Sequence, residues 1–144
     1  MHKNVKNLLE IKDNVKQKLN NNNKIPKIIA VSKTFKINDI MPLIDHGHFD
    51  FGENKVQEAV EKWQSVKSSH KDLRLHMIGK LQTNKVKYVI PLFDYIHSLD
   101  SIKLAKKISD EQKKINKYLK IFIQINIGKE DQKNGIDPSE LKEF

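Results

Sequence analysis

Apolar residues in this chain recur with two alternating spacings. Residues 3–20 carry Val5, Leu8, Leu9, Ile11, Val15 and Leu19 among charges, the spacing of an amphipathic helix. The Asn20–Asn23 run ends it as a solvated loop, and Pro26 leads into an apolar run at 28–32 that reads as a buried strand. A helical stretch follows from Asn38, a candidate N-cap, through Ile40, Leu43 and Ile44 to His46, with Gly47 as its stop signal and Pro42 early enough to be tolerated. The alternation then repeats. Phe49–Gly52 is a short strand, and Asn54 is placed to cap a helix over Val56–Val66. Leu73–Ile78 is a third strand, followed by a helix over 82–89 that Pro91 should break. Tyr95–His97 is a fourth strand, and Ser101–Asn116 a helix with Ile102, Leu104, Ala105 and Ile108 on one face. Leu119–Ile127 is the most strand-like segment, and Pro138 and Ser139 open a further helix.

Strands and helices joined in turn by short links predict parallel βα units, because parallel strands need a crossover. A doubly wound sheet and a (β/α)8 barrel both fit. No GxGxxG follows the first strand, which counts against a dinucleotide fold. Gly79-Lys80 has no glycine five positions earlier, so it is not a P-loop.

The length of 144 residues fits one domain, and 38% apolar content is enough for a core. No apolar stretch is long enough to span a bilayer, and the N-terminus has no signal-peptide run. There is no cysteine, hence no disulfide framework or thiolate metal site, and a cytoplasmic location is the expectation. The net charge of +9 raises a nucleic-acid reading. Arg74 is the only arginine, however, and arginine is the residue suited to bidentate phosphate and base recognition. The lysines lie among Asn and Ile, the set that an AT-rich genome enriches, so neither a specific nucleic-acid partner nor a membrane partner is expected.

In parallel βα folds chemistry gathers beyond the C-terminal ends of the strands. Those positions hold Ser32 and Lys33; Gly52, Glu53 and Asn54; His76, Gly79, Gln82, Thr83, Asn84 and Lys85; His97, Ser98 and Asp100; Asn126, Gly128, Lys133 and Gly135. Each has an ordinary alternative. Asn54 can be a helix cap, His76 and His97 hydrogen-bonded core histidines, and Asp100 and Ser101 helix-start residues. Asn126 shares a face with Gln124 in an apolar strand, where an amide needs partners that a polar barrel mouth would supply. Lys33 ends the first strand. A desolvated ammonium there would have a lowered pKa and become a nucleophile able to form Schiff bases; a lysine capping the strand and pointing into water is the plainer reading. No HxxxH or HExxH metal spacing occurs.

These same segments, in order, are Ala30-Val31-Ser32-Lys33-Thr34, Phe51-Gly52-Glu53-Asn54-Lys55-Val56-Gln57-Glu58, His76-Met77-Ile78-Gly79-Lys80-Leu81-Gln82-Thr83-Asn84-Lys85, Ile96-His97-Ser98-Leu99-Asp100-Ser101, and Ile123-Gln124-Ile125-Asn126-Ile127 with Lys133-Asn134-Gly135. On them the chain resembles the pyridoxal phosphate homeostasis proteins, related in fold to the N-terminal domain of alanine racemase. The resemblance implies an α/β fold: a partial (β/α)8 TIM-type barrel of about five parallel βα units preceded by an N-terminal helix. It also implies that residues 1–144 form the N-terminal part of a pyridoxal-phosphate-binding barrel domain.

By the same resemblance the cofactor is pyridoxal 5'-phosphate, held as a Schiff base on Lys33, with Asn54, His76 and Asn126 lining its pocket. The implied role is non-catalytic binding and delivery of the cofactor in vitamin B6 homeostasis, with pyridoxal-phosphate-dependent apoenzymes as recipients. A racemase-like enzyme fragment and an inactive product of a split gene are the alternatives. Lys36, Lys55 and Met77 depart mildly from the family pattern. Family members are longer, and the later strands with their phosphate-binding loops have no counterpart here. Charge-assisted hydrogen bonds contribute roughly 1.5–3 kcal/mol each, so weak cofactor binding is expected of this chain alone, as a monomer or with a complementary C-terminal fragment.

Overall fold

The computed structural model describes all residues from Met1 to Phe144. Helix α1 (Lys3–Lys18) is followed by β1 (Ala30–Val31), α2 (Ile37–Asp45), β2 (Asp50–Glu53), α3 (Val56–Ser69), β3 (Arg74–Met77), a 3₁₀ turn (Thr83–Lys85) and α4 (Val86–Leu92). Then come β4 (Tyr95–Leu99), α5 (Ile102–Ile115), β5 (Lys120–Ile123) and a 3₁₀ turn at Pro138–Glu140. The five strands form one sheet in the order β1-β2-β3-β4-β5, every pair parallel. A doubly wound sheet reverses its strand order at a switch point. This order has no reversal, which decides between the two architectures the sequence allowed in favour of barrel-type winding.

The helices cover one face of the sheet. Phe51, Leu75, Met77 and Ile96 point toward them and are fully buried, with Trp63 of α3 and Val86 and Val89 of α4. Trp63 packs its ring 5.0 Å from Phe51. Val5 and Leu8 of α1 are buried as well, and Asn4 ties α1 to α2 through the Asp39 carbonyl. No helix is long and apolar enough to cross a membrane.

Several boundaries differ from expectation, each for a local reason. The strand expected over 28–32 pairs only at Ala30 and Val31, because the chain turns at Ser32, whose carbonyl accepts from the Phe35 N–H at 3.2 Å. Helix α2 starts at Ile37 with Lys36 at its N-cap, so Asn38 is not the cap. Asn54 does not cap α3 either; Lys55 occupies that position without a side-chain bond. Pro91 does not break α4, which continues to Leu92 with the proline in its last turn. Ser101 does cap α5, accepting from the Leu104 N–H, and Asn116 closes that helix in the left-handed conformation.

The strand expected to reach Ile127 leaves the ladder after Ile123, and the chain then pairs with itself through Ile125 and Ile136. Gly135 makes this possible, with φ +115° and a Cβ position that would lie 2.8 Å from the Asn126 nitrogen. The helix expected from Pro138 is a single 3₁₀ turn.

Trp63→Ala is expected to cost about 3–5 kcal/mol in urea unfolding, because it empties a fully buried site under the sheet, whereas Tyr118→Ala on the surface should stay within about 0.5 kcal/mol.

Candidate functional site

The face of the sheet away from the helices carries an unbroken polar and aromatic row. Alternation along each strand sends Asp50 and Gly52, Arg74 and His76, and Tyr95 and His97 to this side. Asp50 is the hub. It accepts from Arg74 Nε at 3.0 Å and from a terminal guanidinium nitrogen at 2.8 Å, and its Oδ1 lies 2.9 Å from His76 Nε2. Lys27 adds a looser contact at 3.9 Å. His76 Nδ1 lies 2.9 Å from His97 Nε2. His76 stacks on Tyr95 at 4.2 Å, and His97 on Phe122 at 4.7 Å.

Charge decides the direction of these bonds. Burial pushes the Asp50 carboxyl up, but bonds from Arg74 and His76 and the charges of Arg74 and Lys27 outweigh it and hold the pKa at about 2. Burial lowers His76 against the pull of Asp50, and burial with the neighbouring His76 lowers His97. Both rings are therefore neutral at pH 7. An ionised Asp50 can only accept, so His76 donates from Nε2 and accepts at Nδ1 from the Nε2–H of His97. Nδ1 of His97 is left as the outer acceptor of the chain. These side chains do not gather into a metal-ligand set.

Lys33 stands at the C-terminal rim of this sheet. Val31 pairs with Gly52; Lys33 lies in the turn that follows β1, and Asn54 directly follows β2, its neighbour in the sheet. Lys33 belongs to the turn after β1 and is exposed, so its side chain is not buried at a strand end. Asn54 is half-buried on the same rim. Gly79, at the end of the third unit, packs so tightly on it that a Cβ would come within 2.5 Å of the Asn54 carbonyl oxygen. His76 is 1% exposed and lies below the rim, paired in register with Gly52. Asn126 lies beyond β5 at the far side of the sheet. It finds its partners in its own loop, donating to the Glu130 carbonyl at 2.8 Å and accepting from the Glu130 N–H at 3.4 Å, not in a barrel mouth. Lys33 and Asn54 thus follow the C-terminal ends of two adjacent strands, His76 lies within the third strand, and Asn126 lies beyond the fifth.

Residues 7–144 match the family described as alanine racemase, N-terminal domain. The chain belongs to the alanine racemase N-terminal domain family. A pyridoxal phosphate homeostasis protein of Pasteurella multocida is 40% identical over 138 residues, 94% of this chain and 59% of the relative. PipY of Synechococcus elongatus, solved with pyridoxal phosphate bound, superposes with a TM-score of 0.75 at 32% identity, covering 93% of this chain and 62% of that one. An alanine racemase of Clostridium difficile shares the fold at TM-score 0.69 and 17% identity. The chain spans about three-fifths of the length of the Pasteurella multocida relative and of PipY.

Sequence reasoning gave Asp50, Arg74 and Tyr95 no part in the site. The signal was present: in β3 (Arg74, His76) and β4 (Tyr95, His97) a polar or aromatic residue recurs at period two, the mark of a strand whose second face is not apolar, and Asp50 opens the same face of β2. Cofactor fit can be judged from the atoms already engaged. Both His76 nitrogens and the Asn126 amide are committed within the chain. Lys33 and Asn54 have the chemistry a carbonyl-bearing, anionic cofactor needs, an exposed amine and an amide at the ends of adjacent strands.

Acid should weaken the fold in two stages. His76 and His97 titrate lower folded than unfolded, so their contribution is present above pH ~6.5 and declines as pH falls below it. Asp50 contributes about 2 kcal/mol above pH ~4, lost as pH falls toward its folded pKa. Urea midpoints measured against pH should show both stages in the wild type, and Asp50→Asn should lower the plateau and flatten the lower stage.

Proposed function

We propose that this chain binds pyridoxal 5'-phosphate through Lys33 and serves vitamin B6 homeostasis as a carrier, not as a turnover enzyme. The observation that carries the reading is the placement of Lys33: an exposed amine on a fixed turn at the C-terminal end of β1, the strand paired with the one that Asn54 follows. The rim is where barrels of this kind place their chemistry. Relatives named for pyridoxal phosphate homeostasis, and PipY with that cofactor bound, support the choice of ligand.

When bound, pyridoxal phosphate supplies a carbonyl that a lysine amine can condense with, and a phosphate anion. Lys33 would hold the carbonyl end and Asn54 would orient it through its amide. His76, whose two nitrogens are engaged by His97 and Asp50, would line the pocket with its ring. On this reading residues 1–144 contribute the first five βα units of a barrel domain. The part of the longer relatives that has no counterpart here would complete the mouth and its phosphate-binding loops. Apoenzymes that use the cofactor would be the recipients. On this reading the chain would act in the cytoplasm.

Borohydride reduction after addition of pyridoxal phosphate, followed by peptide mass mapping, tests the assignment. Lys33 should carry the label well ahead of the other surface lysines, and Lys33→Ala should lose the visible absorbance band. A band of equal strength in Lys33→Ala would reduce the reading to scattered surface chemistry. Formation of D-alanine from L-alanine by the loaded protein would overturn the carrier assignment.

A further inference from the structure

We infer that α3 positions Lys33 by clamping the peptide on either side of it, with Glu58 and Lys62 as the positioning residues. The inference rests on the reading of Lys33 as the cofactor-bonding lysine and adds what fixes it in place. On one flank, Lys62 Nζ donates to the Ser32 carbonyl at 2.7 Å. On the other, the Thr34 N–H donates to Glu58 Oε1 at 2.5 Å. The two clamping side chains are one helical turn apart on α3 and bond each other at 3.1 Å. The two peptide units that bracket Lys33 are therefore both tied to one helix face, while the Lys33 side chain itself remains exposed.

The clamp is anchored below. Lys62 also donates to Glu53 Oε1 at 2.8 Å, and the same oxygen accepts from Ser32 Oγ and from Trp63 Nε1, each at 2.8 Å. Glu53 is fully buried and the Lys62 side chain only 8% exposed. A buried, hydrogen-bonded ion pair of this kind has a narrow range of permitted geometries, which suits it to fixing position.

The turn needs such fixing. Thr34 has φ +67°, a conformation that is an outlier for a β-branched residue and persists only where the surroundings impose it. Burial pushes the Glu58 carboxyl up, but the Thr34 N–H and Lys62 outweigh it and keep it ionised as the acceptor. Without the clamp the turn has alternatives, and the amine would sample them.

The experiment compares wild type, Glu58→Ala and Glu58→Gln, and reads the labelling of Lys33 relative to the other lysines of the same molecule after pyridoxal phosphate and borohydride, with melting temperature and circular dichroism of the free protein alongside. Glu58→Ala should lower that ratio about tenfold in a folded protein, and Glu58→Gln, which keeps an acceptor for Thr34, should restore most of it. An unchanged ratio in folded Glu58→Ala overturns the clamp while leaving the cofactor reading in place. A wild type with no preference for Lys33 removes the cofactor reading and the clamp with it. Should Glu58→Ala not fold, hydrogen exchange of the Thr34 amide in wild type decides. Protection supports the clamp, and exchange as fast as in the Asn20–Asn23 loop overturns it.

Discussion

A single carboxylate oxygen between the sheet and α3 takes three donors. Glu53 Oε1 receives Ser32, Lys62 and Trp63, while Oε2 has no partner in the protein. An ionised group with no solvent access is tolerated only with a counter-charge and hydrogen bonds close by, and removing one partner of a buried pair costs about 3–5 kcal/mol. The constraint reaches in two directions. Downward it locks Trp63, the largest core side chain, in one orientation over Phe51. Upward it holds Lys62 where its ammonium meets the Ser32 carbonyl, so the end of β1 and the start of the Lys33 turn are set by the same charge.

The two faces of the sheet thus do different work. The helix face contains the apolar core and, set into it, the Glu53–Lys62 pair that governs the rim. The open face contains a chain of hydrogen bonds from Arg74 through Asp50 and His76 to His97. Gly52 on β2 separates the hub Asp50 from the rim residue Asn54 on that face, and Ile78 fills the space a side chain there would take. The rim is consequently supported from the helix side by ions and from the sheet side by apolar contact.

Much of the architecture was legible in the sequence because a parallel sheet with helices between its strands imposes two distinct periods on apolar residues. All five strands and the five α-helices lie where those periods place them. Boundaries were less legible where competition was local: a turn at Ser32 cut β1 short, and the pairing of Ile125 with Ile136 ended β5 before Ile127. Of the rim residues, Lys33 and Asn54 were readable because strand ends in such folds are known ground for chemistry. Glu58 and Lys62 were not, since on a helix they have the spacing of a solvent-facing ion pair. Nothing local distinguishes that pair from Lys107 and Glu111 on α5, whose lysine is more than a third exposed.

The open face also bears on how the site can be completed. Val31 and Phe122 on it are about half exposed, so water now meets apolar surface there. Its one carboxylate, by contrast, is already paired: Asp50 has Arg74, His76 and Lys27, and both histidines are held neutral. Covering a surface with unpaired ions is opposed by their desolvation, whereas covering apolar groups is favourable at about 25 cal/mol per Å². A face on which the carboxylate is already paired and apolar groups are bare can therefore accept further strands of the family fold without losing its internal bonds. Asp50, Arg74 and His76 need no new partner, and Phe122 and Val31 gain one.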